Sequence, residues 1–68
     1  MRIILNGDPA EVPESLSVSG LLQYLTIDAR LVAVELNRLV IKRARHADTM
    51  IREGDEVEIV AFVGGGSV

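Results

Sequence analysis

The fold is decided by residues 56–68, which read EVEIVAFVGGGSV. Along residues 56–63, every second side chain is apolar and the side chains between them are mixed. Such alternation indicates a half-buried β-strand. One face of this strand is entirely apolar and should pack on the core, with Val57, Ile59, Ala61 and Val63. The other face is mixed, with Glu56, Glu58, Val60 and Phe62.

Three glycines, Gly64, Gly65 and Gly66, follow this strand. Glycine loses conformational entropy when ordered and has no side chain to pack, so three together add little to a strand. They do make the chain thin, and residues 63–66 reach about 13 Å when extended at about 3.3 Å per residue. The pattern predicts a folded domain over residues 1–63 and a flexible tail over residues 64–68 that can enter a narrow site. A frayed chain end is the alternative.

Length and composition exclude several classes of protein. The 68 residues are enough for one domain, and 49% are hydrophobic, well above a disordered segment. There is no cysteine for disulfides or thiolate metal sites. A net charge of −3 and only two aromatic residues, Tyr24 and Phe62, disfavour nucleic acid binding. No apolar run of about 20 residues and no signal-peptide pattern are present, so we expect no membrane association and a cytoplasmic location.

The first half of the chain predicts a hairpin followed by a helix. Asn6-Gly7 suits a type I′ turn between residues 1–5 and a returning strand over residues 8–12. Pro9 restricts that second strand to a sheet edge. Ser17 is the expected helix N-cap, Leu16 and Leu21 match a hydrophobic staple, and Gly20 suggests close packing of the helix on a sheet. The helical apolar stripe ends near residues 25–26 and consists of Val18, Leu21, Leu22 and Leu25.

The second half predicts three more strands. Residues 31–36 alternate, Asn37-Arg38 is a plausible turn, and residues 39–41 form a short strand. Residues 42–48 are polar and should form a loop or one helical turn, after which Met50 and Ile51 anchor the chain to the core. Residues 53–55, Glu-Gly-Asp, indicate a turn before the last strand.

These elements predict an α+β fold in which a single helix covers one face of a small mixed sheet. The first and last strands would be neighbours in the middle of the sheet, which is the ubiquitin-like β-grasp arrangement. One helix leaves the other sheet face open, so Val60 and Phe62 are predicted to form a docking surface for a partner.

The remaining polar residues carry no predicted chemistry. His46 is expected on the surface, and Tyr24 is expected to be a partly buried helix residue. The basic side chains of Lys42, Arg43 and Arg45 suit either an acidic partner or a solvated loop. Glu56 and Glu58 are expected on an exposed strand face rather than as a catalytic pair. The sequence therefore predicts no catalytic residue and no metal ligand.

Several stretches together resemble a known family. They are residues 1–7, MRIILNG; the helix over residues 17–25; residues 34–37, VELN; Arg43; and residues 54–66, GDEVEIVAFVGGG. The chain resembles the ThiS family of sulfur carriers in thiamine biosynthesis over nearly its full length. A Gly-Asp turn or a Gly-Gly pair by itself is weak evidence for this resemblance. A Gly-Asp turn, one strand and a near-terminal diglycine together are strong evidence in a chain this short.

The resemblance implies a function that needs no active site in this chain. A ThiF-type enzyme, resembling the ubiquitin-activating enzymes, would use ATP to adenylate the carboxylate of Gly66. The adenylate would then become a thiocarboxylate that delivers sulfur to a ThiG-type thiazole synthase. The protein would bind no cofactor itself and would act as a co-substrate rather than an enzyme.

One departure from the family is the pair Ser67 and Val68 after the last glycine. With them attached, Gly66 bears an amide and cannot be adenylated, so we expect that a protease trims them or that they are an artificial addition. Alternatively, this protein has left sulfur chemistry. Two further interpretations stay open, a carrier for molybdopterin or cysteine synthesis and a ubiquitin-like interaction module that is never activated.

Overall fold

The computed structural model describes residues 1–62. In chain order the elements are β1 (Arg2–Leu5), β2 (Asp8–Glu11), α1 (Val18–Tyr24), β3 (Val32–Leu36), β4 (Leu39–Ile41) and β5 (Glu56–Ala61). Single 3₁₀ turns lie at Ala29–Leu31 and Arg43–Arg45. The order of elements confirms the prediction, whereas Val63 and the predicted tail lie outside the described residues.

The strands form one sheet in the order β2-β1-β5-β3-β4. Strands β1 and β5 run parallel, and the other neighbouring pairs are antiparallel. The first and last strands are therefore neighbours in the middle of the sheet, as predicted. With the helix on one face, the topology is the predicted β-grasp fold.

Both hairpins turn through residues with left-handed backbone angles. Asn6 and Gly7 have φ of 51° and 88°, and Asn37 and Arg38 have φ of 51° and 70°. A type I′ turn needs positive φ at both central residues, and Asn and Gly adopt it most easily. Pro9 lies on β2 at the sheet edge, where its missing N–H does not interrupt a ladder.

The core lies between α1 and one face of the sheet. Burying each of its aliphatic side chains stabilises the fold by roughly 1.5–3 kcal/mol. Its buried members are Ile3, Val12, Val18, Leu21, Leu22, Val34, Ile51 and Val57. The predicted helical stripe is thus buried, except that Leu25 is only half-buried at the helix end.

The helix begins where the sequence predicted. The Gly20 N–H donates to Oγ of Ser17 at 3.0 Å, which confirms Ser17 as the N-cap. The expected contact of Gly20 with the sheet was wrong. A Cβ at this position would lie 3.2 Å from Cδ2 of Leu16, so the close neighbour is the residue before the cap.

Three burial predictions were also wrong. Tyr24 is 53% exposed at the last residue of α1, outside the stripe of buried helix residues. Ala61 is exposed at the end of β5, although its strand neighbours on that face pack on the core. Ile51 does anchor its segment, but Met50 is 46% exposed.

Candidate docking face

The sheet face opposite α1 has apolar side chains at the end where β5 leaves the sheet. Val60 is 53% exposed and Phe62 is 64% exposed, so neither belongs to the core. Val60 lies directly opposite Ala33 on β3. On the neighbouring edge strand, Val40 is 63% exposed and lies opposite Glu35. We call the open sheet face formed by Ala33, Glu35, Val40, Glu58, Val60 and Phe62 the docking face.

The backbone at Phe62 is held to the rest of the protein. Its N–H donates to the carbonyl oxygen of Leu31 at 2.9 Å, just before β3 begins. The chain therefore leaves the described fold beside the apolar end of the docking face. Residues 64–66, predicted to carry the chemistry, follow this point but lie outside the described residues.

Two asparagine side chains fasten β5 to the hairpin turns on either side of it. Oδ1 of Asn6 accepts from the N–H of Ile59 at 2.8 Å, and Oδ1 of Asn37 accepts from the N–H of Glu56 at 2.9 Å. Nδ2 of Asn37 also donates to Oδ1 of Asp55 at 3.1 Å. The strand that leads to the tail is thus held from both sides. The sequence shows an asparagine at the first central position of each predicted turn, but not that both side chains bind the same strand.

One groove on the docking face is acidic. It has a volume of about 390 Å³ and is lined by Ile4, Gly7, Glu35, Arg38, Glu56, Val57 and Glu58. Nε of Arg38 lies 3.6 Å from Oε1 of Glu56, which leaves two carboxylates of the groove without that cation. The predicted exposure of Glu56 and Glu58 is confirmed.

A second groove, beside Phe62, has a basic rim formed by Arg30, Lys42 and Arg43. Its volume is about 320 Å³. Within residues 1–62, Arg45 pairs with Asp48 at 3.8 Å, whereas Lys42 and Arg43 have no carboxylate within 4 Å.

His46 lines this groove, and its predicted surface position was wrong because its side chain is only 3% exposed. Nε2 lies 3.1 Å from the carbonyl oxygen of Ile41, and a neutral ring donates its proton there. Nδ1 is buried and has no hydrogen-bond partner among the described residues. The preceding 3₁₀ turn brings the ring inward, because the His46 N–H donates to the carbonyl of Arg43.

A third groove, of about 620 Å³, is mainly apolar and lies between the end of α1 and the core face of the sheet. Asp28 is at its rim and forms an ion pair with Arg30 at 2.7 Å. The hydrogen bond from the Arg30 side chain, then that from its backbone N–H, lowers the pKa of Asp28 from 3.8 to about 2. The pairing raises the pKa of Arg30. This ion pair and the bond from the Arg30 N–H to Asp28 stabilise the 3₁₀ turn after the helix.

Over residues 1–62, no helix is long and apolar enough to cross a membrane. The same residues contain no group of three or more histidine, aspartate or glutamate side chains arranged to hold a metal ion.

The last strand of this β-grasp domain lies in the middle of the sheet and ends beside exposed apolar side chains. This arrangement defines the class of ubiquitin-like proteins. The ThiS family model matches residues 3–66, and the chain belongs to the ThiS family. That match begins at the second residue of β1 and includes β2 to β5 and the three glycines.

Solved and curated proteins agree with this assignment. The crystal structure of the thiamine biosynthesis protein ThiS from Geobacter metallireducens is 42% identical, with a TM-score of 0.86, over 97% of this chain and 100% of that one. A thiazole synthase of Paramagnetospirillum magneticum is 40% identical over 98% of this chain and 21% of its own length. A thiazole synthase of Magnetococcus marinus is 38% identical over 97% of this chain and 20% of its own length. The chain thus spans about a fifth of these curated relatives.

Proposed function

We propose that this protein is a sulfur carrier for the thiazole part of thiamine, with sulfur held as a thiocarboxylate on Gly66. The observation that carries the proposal is the family match, which extends from the sheet to residue 66. The fold supports it, because β5 leads from the middle of the sheet towards the glycines. Gly64 and Gly65 then serve as a slender approach to the acceptor.

The chemistry explains why glycine stands at the acceptor position. A carboxylate is a poor electrophile until one of its oxygens becomes part of a leaving group. An oxygen of the Gly66 carboxylate attacks the α-phosphorus of ATP and releases pyrophosphate, which gives an acyl adenylate. Sulfur at the oxidation level of hydrosulfide then attacks the carbonyl carbon and displaces AMP, which leaves the thiocarboxylate and releases a proton. Absence of a side chain leaves that carbon open to attack and lets the backbone pass through a narrow channel.

The partners follow from this sequence of steps. A ThiF-type enzyme resembling the ubiquitin-activating enzymes supplies the ATP site, so this chain needs no cofactor and acts as a co-substrate. A ThiG-type thiazole synthase receives the sulfur. Two relatives named thiazole synthase contain a segment similar to almost all of this chain, which supports that partner. Val60 and Phe62 form the apolar contact that docks the domain while the tail is engaged.

The first prediction tests the acceptor directly. A chain ending at Gly66 should support ATP–pyrophosphate exchange by the ThiF-type enzyme of the same organism, because its terminal carboxylate is free. The chain of residues 1–68 should support no exchange. The Gly66→Ala variant of the shorter chain should form no thiocarboxylate. Intact mass spectrometry measures the replacement of a terminal oxygen by sulfur.

Matched folding controls keep this test interpretable. The three chains should share the same denaturation midpoint, because residue 66 and its successors follow the last strand. Normal thiocarboxylate formation by Gly66→Ala, or exchange by the untrimmed chain equal to that of the trimmed one, would contradict the proposal.

A further inference from the structure

Most acidic side chains in this protein have a partner within it. All ten acidic residues lie within residues 1–62, and seven of them pair with a cation or accept a hydrogen bond: Glu11, Glu14, Asp28, Asp48, Glu53, Asp55 and Glu56. Asp8, Glu35 and Glu58 have neither among the described residues. Two of these three face each other.

Glu35 on β3 and Glu58 on β5 occupy directly opposite positions in the antiparallel ladder. Side chains in such positions have Cβ atoms about 4.5–5.5 Å apart, and like charges there destabilise the sheet. Glu35 is also half-buried, which limits its hydration. The nearby guanidinium of Arg38 is directed to Glu56 instead. Among the described residues, neither of these opposed carboxylates therefore has a cation within 4 Å.

The pair lies next to the apolar end of the docking face. Val60 follows Glu58 by two residues on β5, and Val40 lies opposite Glu35 on β4, so all four side chains share the open face. On the far side of Phe62 the rim of the neighbouring groove is basic, with Lys42 and Arg43. The docking face consequently has carboxylates at one end and borders a basic groove rim at the other.

We propose that the opposed carboxylates of Glu35 and Glu58, beside Val60 and Val40, bind lysine or arginine side chains that flank an apolar patch on the adenylating partner. This assignment rests on the proposed function and adds the chemistry of the partner surface. Cations brought by the partner relieve the repulsion between the two glutamates. Charge complementarity of this kind speeds association and selects orientation more than it adds affinity. The polarity of the docking face then orients the domain so that its tail points into the ATP site.

The test is a charge reversal made in the chain that ends at Gly66. Glu58→Lys should stabilise the fold or leave it unchanged, because the new ammonium group faces Glu35 across the strands. The same change should raise the carrier concentration needed for half-maximal ATP–pyrophosphate exchange by roughly three- to tenfold at low salt. The increase should shrink at about 0.5 M salt, since screening weakens exposed charge interactions. Glu58→Gln should give a smaller effect in the same direction.

Asp8→Lys is the matched control. Asp8 is exposed and also unpaired among the described residues, but it lies on β2 at the opposite edge of the sheet. This reversal changes the net charge equally and should leave the exchange reaction unaltered. Denaturation midpoints of all variants show whether each is folded.

Separate outcomes identify which idea fails. If the wild-type chain ending at Gly66 supports no exchange, the proposed function is wrong. If it supports exchange and Glu58→Lys behaves like Asp8→Lys, the function stands and the partner surface proposed here is wrong. An effect seen only in sulfur transfer to the thiazole synthase would overturn the assignment to the adenylating partner.

Discussion

At the scale of single residues, His46 has a structural role that its neighbours in the sequence conceal. It lies in a run of basic residues, yet its ring is buried and bonded to the carbonyl of Ile41. Its own carbonyl accepts from the N–H of Ser19 at 3.0 Å, in the first turn of α1. His46 therefore ties the connection before β5 to both β4 and the helix.

The corresponding prediction is that His46→Ala lowers the free energy of unfolding by about 2–4 kcal/mol. Truncation leaves a cavity, and the Ile41 carbonyl loses its side-chain donor. Urea denaturation followed by circular dichroism measures the change. Lys42→Ala is the control, because this exposed residue in the same segment should alter stability by less than about 0.5 kcal/mol. Equal effects of the two substitutions would show that the ring does not support the fold.

At the scale of secondary structure, the two hairpins and β5 are joined by the turn asparagines. Strand β1 pairs with β5 over a short register, Ile4 with Glu56 and Leu5 with Val57. The bond from the Ile59 N–H to Asn6 extends this attachment beyond the ladder. Asn37 does the same at the start of β5 from the other side. Each asparagine thus provides a left-handed turn residue and an acceptor for the central strand.

These two roles can be separated by substituting glycine. Asn37→Gly keeps the left-handed conformation but removes the amide, so it should destabilise the protein by roughly 1–2 kcal/mol through the lost hydrogen bonds. Asn6→Gly should behave similarly. Arg38→Gly is the matched control, because Arg38 has φ of 70° in the same turn and glycine relieves its strain. The thermal denaturation midpoint of Arg38→Gly should equal or exceed that of wild type. A midpoint of Asn37→Gly equal to that of wild type would show that the asparagine hydrogen bonds to β5 do not stabilise the fold.

At the scale of the whole molecule, the two faces of the sheet differ in burial. One face and α1 form the core, whereas the other holds exposed apolar and acidic side chains. A small domain with one helix cannot cover both faces. In this protein the uncovered face lies beside the point at which the chain leaves the fold.

We predict that the double substitution Val60→Ser and Phe62→Ser separates stability from partner binding. Both side chains are more than half exposed, so the denaturation midpoint should stay near wild type. Loss of apolar contact should raise the carrier concentration for half-maximal exchange by at least about fivefold, as expected when an interface loses its central contacts. Leu39→Ser controls for surface hydrophobicity, since Leu39 is 68% exposed on the edge strand. A similar loss from Leu39→Ser would show that the effect is not specific to the docking face.

Sequence reasoning was most successful where local chemistry leaves few choices. Asn6-Gly7 predicted a left-handed turn, Ser17 a helix cap, and the alternation in residues 56–61 a central strand, and all three are present. It failed where burial depends on contacts between distant segments, as at His46 and Tyr24. The prediction for the tail remains a prediction, because residues 64–66 lie outside the described part of the chain.

The sequence by itself determined the turns and the order of strands and helix along the chain, because backbone preferences and apolar periodicity act over a few neighbouring residues. It also carried the motifs of the ThiS family. Only the tertiary structure decided that Asn6 and Asn37 hold the same strand, and that Glu35 and Glu58 oppose each other beside Val60. These residues are far apart along the chain, and pairing of β3 with β5 alone brings the two carboxylates together. The register of a sheet is a long-range property, since it depends on how all strands share one core.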